Sequence, residues 1–214
     1  MKITLKDIGR RFNREWIFRQ VNYEFETEGR YAILGPNGSG KSTLLQIIGG
    51  SLSPSDGKIS YSWLGQKVDV EDIFQHISLA APYLELVEEF TLQEIIDFNF
   101  SFKKYAPGTD KDSLIDLLGF EQARNKTLKN FSSGMKQRVK LAIALCSDTP
   151  ILLLDEPTAN LDKQGISWYL ELVERFASNR LVIVCSNQEH EYQFCDHQFQ
   201  VTDYKSANRL KMNL

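Results

Sequence analysis

Apolar residues recur along the chain in two rhythms, and the switches between them predict the elements. Residues 2–8 alternate as a half-buried strand, with Ile3, Leu5 and Ile8 toward one face. Residues 21–25 (Val21-Asn22-Tyr23-Glu24-Phe25) form a second strand, and Glu28-Gly29 a turn. Short apolar runs at 31–34, 77–80 and 181–185 read as core strands, and Pro82 ends the middle one. The run from Ile151 to Leu154, closed by Asp155 and Glu156, suits a strand buried on both faces of a parallel sheet. Helical spacing appears after the first core strand at Leu44, Leu45, Ile47 and Ile48, and Gly49-Gly50 ends it. Residues 53–57 are a strong turn signal, and 58–63 alternate as an exposed strand.

Between about 83 and 140 the helical rhythm takes over. Leu92, Ile95, Ile96, Phe98 and Phe100 share a helix that Thr91 and Glu94 open as a capping box. Residues 106–110 break the chain; Leu114, Leu117 and Leu118 then make one helical face closed by Gly119. A further helix carries Val139, Leu141, Ala142, Ile143 and Leu145, and another spans about 166–176. The tail holds Phe199-Gln200-Val201 and a polar, exposed end from Asp203. No internal repeat or long linker divides the chain, so residues 1–214 are expected to form one domain with a helical insertion.

Composition narrows the function classes. The chain is 42% hydrophobic and 25% charged, ordinary for a globular protein with a sizeable core. Its net charge of -3 argues against a broad nucleic-acid footprint, so no nucleic-acid partner is expected. No apolar run approaches the ~20 residues of a membrane span, and residues 1–7 lack the apolar core of a secretory signal. A cytoplasmic location follows as the expectation, with any membrane role coming through a partner. Cys146, Cys185 and Cys195 are an odd number without a CxxC pair, which suggests reduced thiols. Cys185, His190, Cys195 and His197 crowd together but match no standard metal spacing.

The chemistry concentrates in Gly35-Pro36-Asn37-Gly38-Ser39-Gly40-Lys41-Ser42-Thr43, which fits the phosphate-binding pattern G-x-x-x-x-G-K-[ST] between a strand and a helix. Its glycines let the backbone turn its N–H groups inward, and the helix N-terminus adds positive character. Lys41 offers a point charge to the β- and γ-phosphates, and Ser42 a hydroxyl to Mg²⁺. Asp155 is placed to hold Mg²⁺, and Glu156 to polarise the water that attacks the γ-phosphate. Within residues 11–16, an aromatic either stacks on an adenine ring or covers a sheet edge.

In these motifs, their order and their spacing, nearly the whole chain resembles the ATP-binding-cassette (ABC) ATPases, the nucleotide-binding subunits of ABC transporters. Residues 35–43 match the Walker A motif, and 151–156 with Pro157-Thr158 match Walker B. Phe131-Ser132-Ser133-Gly134-Met135 matches the signature usually written LSGGQ, and Asn160-Leu161-Asp162 the D-loop. The resemblance implies an α/β fold: a P-loop NTPase core with a mostly parallel sheet, an N-terminal antiparallel β lobe and an inserted helical subdomain. It implies ATP and Mg²⁺ as ligands, with Ser42 and Asp155 at the metal, and it places Phe12 at the adenine-stacking aromatic. It also implies that Ser132 and Gly134 close over ATP held by a second chain, either another copy or a homologous ATPase subunit. Two chains would meet head to tail on two ATPs, beneath an integral membrane permease on the inner face of the membrane.

Three features depart from the family pattern. Pro82 stands where a glutamine normally contacts Mg²⁺ and the attacking water, with Glu85 as a weak substitute. Asn187 stands at the switch histidine; it donates to a γ-phosphate but takes no proton. His190 lies nearby as a surface side chain, and Ser133 and Met135 replace a glycine and a glutamine of the signature. The retained Glu156 implies hydrolysis, slowed by the changes at 82 and 187. The leading expectation is a transporter ATPase subunit, leaning toward export from the 132–138 stretch. The alternatives are a soluble ABC protein of DNA repair or the ribosome, and a regulatory module with little turnover.

Overall fold

A computed structural model describes residues 1–205 of the chain. The expected polar end lies largely outside these residues; Asp203 itself is exposed. Strands β1 (Lys2–Phe12) and β2 (Glu15–Glu26) form a long antiparallel hairpin. β3 (Arg30–Leu34) leads through the glycine-rich loop into α1 (Lys41–Ile48). β4 (Asp56–Trp63) returns to pair with β1, and the short β5 (Gln66–Val68) pairs with β4. β6 (Ile77–Ala80) precedes the helical insertion, made of α2 (Leu92–Phe100), α3 (Lys111–Leu118) and α4 (Ser133–Leu145). Then follow β7 (Ile151–Asp155), α5 (Lys163–Phe176), β8 (Leu181–Cys185), the single turn α6 (Glu189–Tyr192) and β9 (His197–Gln200).

Two sheets result. One is antiparallel in the order β2-β1-β4-β5, the other parallel in the order β6-β7-β8-β3-β9. The α/β class, the antiparallel N-terminal lobe and the helical insertion are therefore all present. The hairpin is longer than the sequence suggests. Ile3, Leu5 and Ile8 break a strict period of two, which ends a simple strand reading at residue 8. A β-bulge between Leu5 and Ile8, with Asp7 at a φ of 51°, restores the phase and buries all three. Residues 11–16 are thus the tip of the hairpin, with Arg11 opposite Trp16 and Phe12 opposite Glu15.

The parallel strands separate two cores by strict alternation. Ile151 and Leu153, with Leu181, Ile183 and Cys185, face a cluster that includes Leu44, Leu45, Ile47 and Ile48 of α1 and Ile3, Leu5 and Phe25 of the hairpin. Leu152, Leu154, Val182 and Val184 face the other way, onto Leu141 and Leu145 of α4 and Tyr169, Leu172 and Val173 of α5. These β7 and β8 residues are all fully buried, each worth roughly 1.5–3 kcal/mol by burial for Val, Leu and Ile. A third cluster, around Leu92, Ile96, Leu114, Leu118, Leu128 and Val139, holds the insertion together. The expected capping box is formed: the Thr91 hydroxyl accepts from the Glu94 N–H at 3.3 Å, and Glu94 Oε2 accepts from the Thr91 N–H at 2.8 Å.

Candidate functional site

The parallel register brings four strand ends together. β3 delivers residues 35–43, β7 delivers Asp155 and Glu156, β8 delivers Ser186 and Asn187, and β6 delivers Ala81 to Leu84. All lie at carboxyl ends of the strands, where open α/β sheets carry their ligands.

The glycine-rich loop has the conformation its residues call for. Gly35, Gly38 and Gly40 have φ values of 146°, 73° and 105°. A Cβ on Gly35 would stand 2.7 Å from Ser39 Oγ, so that position closes to side chains on space as well as on dihedral. The first turn of α1 has no side-chain cap and no acidic residue, which leaves its N–H groups for an anion. Lys41 is buried, and its Nζ reaches back to the carbonyls of Gly35 at 2.8 Å and Pro36 at 3.5 Å. A cavity of about 200 Å³ opens over the loop, with Glu156 and Ile17 completing its walls.

Asp155 carries the clearest electrostatic signature. It is 1% exposed, and among the described residues neither carboxylate oxygen has a hydrogen-bond partner. Burial pushes its carboxyl up to about 6; the Ser42 hydroxyl and Lys41 pull the other way, and the charges of Glu156 and Glu191 reinforce the rise. Ser42 lies near enough to favour the carboxylate, yet outside ordinary hydrogen-bond geometry. A buried carboxylate with bare oxygens beside a serine hydroxyl fits a hard divalent cation with oxygen ligands. Glu156 follows with its amide donating to the Cys185 carbonyl at 2.9 Å and a φ of 42°. A non-glycine residue in the left-handed region stores strain of order 1–3 kcal/mol, a feature that clusters at functional sites.

The departures from the family pattern also find their places. Asn187 is exposed, and its Nδ2 donates to Asn37 Oδ1 at 2.7 Å, which ties the loop after β8 to the phosphate loop. His190, expected at the surface, is half-buried with Nε2 3.0 Å from Thr158 Oγ1; α6 turns it inward. Pro82 and Glu85 are both exposed and line a separate cavity of about 440 Å³ with Lys136 and Lys140. In the turn after β6, Tyr83, next to Pro82, is the residue whose phenol feels the charge of Asp155. The Ala81-to-Leu84 turn closes on a 3.2 Å hydrogen bond, directly after Ala80 pairs with Leu154. Tyr83 is 41% exposed; the partial burial of its ring first, then the negative field of Asp155, raises its phenol above its ordinary range, while the Gln46 side chain opposes the shift. The signal available in the sequence was a phenol next to the proline.

Phe12 lies at the hairpin tip, 48% exposed, with the Arg10 guanidinium 4.6 Å from its ring centroid. It is not among the residues that wall the phosphate-loop cavity; from β2 that place goes to Ile17. Ser132 and Gly134 stand at the start of α4, where Ser132 Oγ accepts from the Met135 N–H at 3.2 Å and so keeps its own hydrogen free to donate. They line a cavity of about 340 Å³ with Arg138, Asn160 and Asp162. This cavity shares no wall residue with the one over the phosphate loop. The cysteines and histidines that crowd in sequence also separate: Cys185 is buried near the Lys41 carbonyl, and His197 stacks on Tyr31 at 4.8 Å.

Comparison with known proteins agrees with this geometry. Residues 18–159 match the model of the ABC transporter family. The chain is 31% identical over 204 residues to the energy-coupling factor transporter ATP-binding protein EcfA1 of Thermotoga maritima, covering 90% of this chain and 74% of that one. It is 30% identical over 228 residues to the putative hemin import ATP-binding protein HrtA of Staphylococcus epidermidis, covering 97% and 100%. Among solved structures, the dimeric structure of MJ0796, a bacterial ABC transporter cassette, superposes with a TM-score of 0.78 at 24% identity, covering 93% and 94%. The chain belongs to the ABC transporter family as an ATP-binding cassette, and it is an ATPase.

Proposed function

We propose that this chain is the ATP-hydrolysing subunit of a multi-subunit ABC transporter, working as a head-to-tail pair with a second copy or a homologous subunit. The observation that carries the reading is the division of the site. The phosphate loop, Asp155 and Glu156 converge at the strand ends, while Ser132 and Gly134 open on a separate cavity that lacks phosphate-loop groups. ATP bound between two chains completes both halves. In that arrangement residues 35–43 hold the triphosphate, Lys41 turns from the loop carbonyls to the β- and γ-phosphates, and Phe12 stacks on the adenine. The partner's signature helix points its N-terminus, with the Ser132 hydroxyl, at the γ-phosphate.

Ser42 and Asp155 would hold Mg²⁺, which neutralises charge on the β- and γ-phosphates. Glu156 takes the proton of the attacking water, and its strained backbone aims the carboxylate over the phosphate loop. Asn187 donates to the γ-phosphate once it releases Asn37. Coupling runs through a separate permease on the cytoplasmic side, and the permease sets substrate and direction; among the described residues no helix is long and apolar enough to cross a membrane. The loss of the switch histidine and of the glutamine before Tyr83 favours slow turnover.

The test is steady-state ATP hydrolysis with Mg²⁺ by the wild type and Glu156→Gln. A low but measurable wild-type rate is expected, lost in Glu156→Gln with nucleotide binding intact. A variant that keeps the parent's rate removes Glu156 from this role.

A further inference from the structure

Glu191 sits on α6, is not among the residues that wall the cavity over the phosphate loop, and is 0% exposed. Its Oε1 accepts from the Thr158 N–H at 2.8 Å and from the Thr158 hydroxyl, and its Oε2 accepts from the Ser186 hydroxyl. Among the described residues no lysine, arginine or histidine forms an ion pair with it. Burying a carboxylate is costly, and only a full set of donors makes it tolerable. Apolar packing would join α6 to the core more cheaply. The donors are what give Glu191 a purpose. Thr158 is two residues after Glu156, and Ser186 is one before Asn187.

We infer that Glu191 is a positioning residue for hydrolysis, which locks the chain after Glu156 to the chain before Asn187 so that both sides of the γ-phosphate position move as one unit. The inference rests on the proposed roles of Glu156 and Asn187. Three further contacts extend the lock. Gln137, buried on α4, donates Nε2 to the Pro157 carbonyl at 2.8 Å, which joins the signature helix to the same turn. Asn187 continues to Asn37 in the phosphate loop. Tyr169 donates to the Glu191 carbonyl at 3.0 Å and holds α6 in place. A path of hydrogen bonds, joined by the chain itself at 157–158 and 186–187, therefore leads from the helix that meets the partner's ATP to the loop that holds this chain's own. The hydrogens are determined as well: with the Thr158 hydroxyl donating to Glu191, His190 Nε2 must donate to Thr158. A left-handed Glu156 persists only where its surroundings over-determine it, and the Thr158–Glu191 bonds supply that restraint two residues downstream.

The experiment measures kcat, nucleotide Kd with a fluorescent ATP analogue, and thermal melting for wild type, Glu191→Ala, Glu191→Gln and Glu156→Gln. Glu191→Ala is expected to lower kcat by roughly tenfold to a hundredfold, the scale of a misplaced catalytic group, with Kd within about twofold of wild type. Glu191→Gln should recover most of the rate. Its carbonyl oxygen still accepts from Thr158, and its amide donates to Ser186, whose hydroxyl then turns to the Gln188 carbonyl 3.3 Å away. Should Glu191→Ala fail to melt cooperatively, Thr158→Val and Ser186→Ala each remove one donor, and a kcat loss at unchanged Kd is expected in both. Wild-type kcat in folded Glu191→Ala, or parallel losses in kcat and Kd, would overturn the inference. Retained turnover in Glu156→Gln instead overturns the underlying reading, independently of Glu191.

Discussion

Asp155 and Glu156 are adjacent acids with opposite problems: one is buried without a hydrogen-bond partner among the described residues, the other is held in a strained backbone. The first makes a prediction that depends on pH. Asp155 titrates near 6 in the folded chain, against 3.8 for an ordinary aspartate. A raised acid is protonated in both states below about pH 4, where its contribution to stability is fully present. That contribution is lost as pH rises through 6. In nucleotide-free protein at pH 7–8 its charge therefore costs about 3 kcal/mol. Asp155→Asn should accordingly raise the nucleotide-free melting temperature at pH 7–8, with the advantage shrinking below pH 6 and vanishing near 4. The same variant should lose the extra stability that Mg²⁺ with ATP confers on the wild type. Melting curves across pH 4–8 check both, and a gain independent of pH would show that the Asp155 charge is not what opposes folding. The motif makes the identity of these acids plain in the sequence. Their burial and strain depend on the neighbouring strands, so neither is visible there, and the buried setting of Glu191 is hidden for the same reason.

The elements most legible in the sequence are those whose signal is local. The Thr91-Glu94 box, the Gly119 helix end (φ 67°) and the four apolar strand runs all appear as expected. The hairpin tip is not legible, because bulges set its phase and they depend on the partner strand. α4 shows why the signature keeps a glycine. A Cβ on Gly134 would stand 2.8 Å from the Asn160 carbonyl oxygen, on the left-handed residue (φ 65°) that precedes Leu161 and Asp162. Gly134→Ala must push the helix start away from this turn. We predict a fall in kcat of about tenfold or more, the scale of a small displacement of catalytic groups, with nucleotide affinity unchanged. Equal kcat in the variant would mean that the contact between α4 and the 160–162 turn does not bear on turnover.

At the scale of the molecule, the two sheets and the helical insertion place the phosphate loop and the signature on separate cavities. The order of the motifs along the chain already implies this division, because the signature lies in the insertion and the phosphate loop in the core. On the proposed function, the face that joins them is supplied by a second chain. The most direct measurement is complementation of ATP hydrolysis between two defective chains. Lys41→Ala removes the phosphate-binding charge but keeps the signature; Gly134→Asp sets a negative charge at the signature but keeps the phosphate loop. Each alone should be inactive. Mixed, they should form pairs with one complete site, and the rate should rise well above the sum of the two separate preparations. A mixture no more active than its parts would contradict a site shared between two copies of this chain.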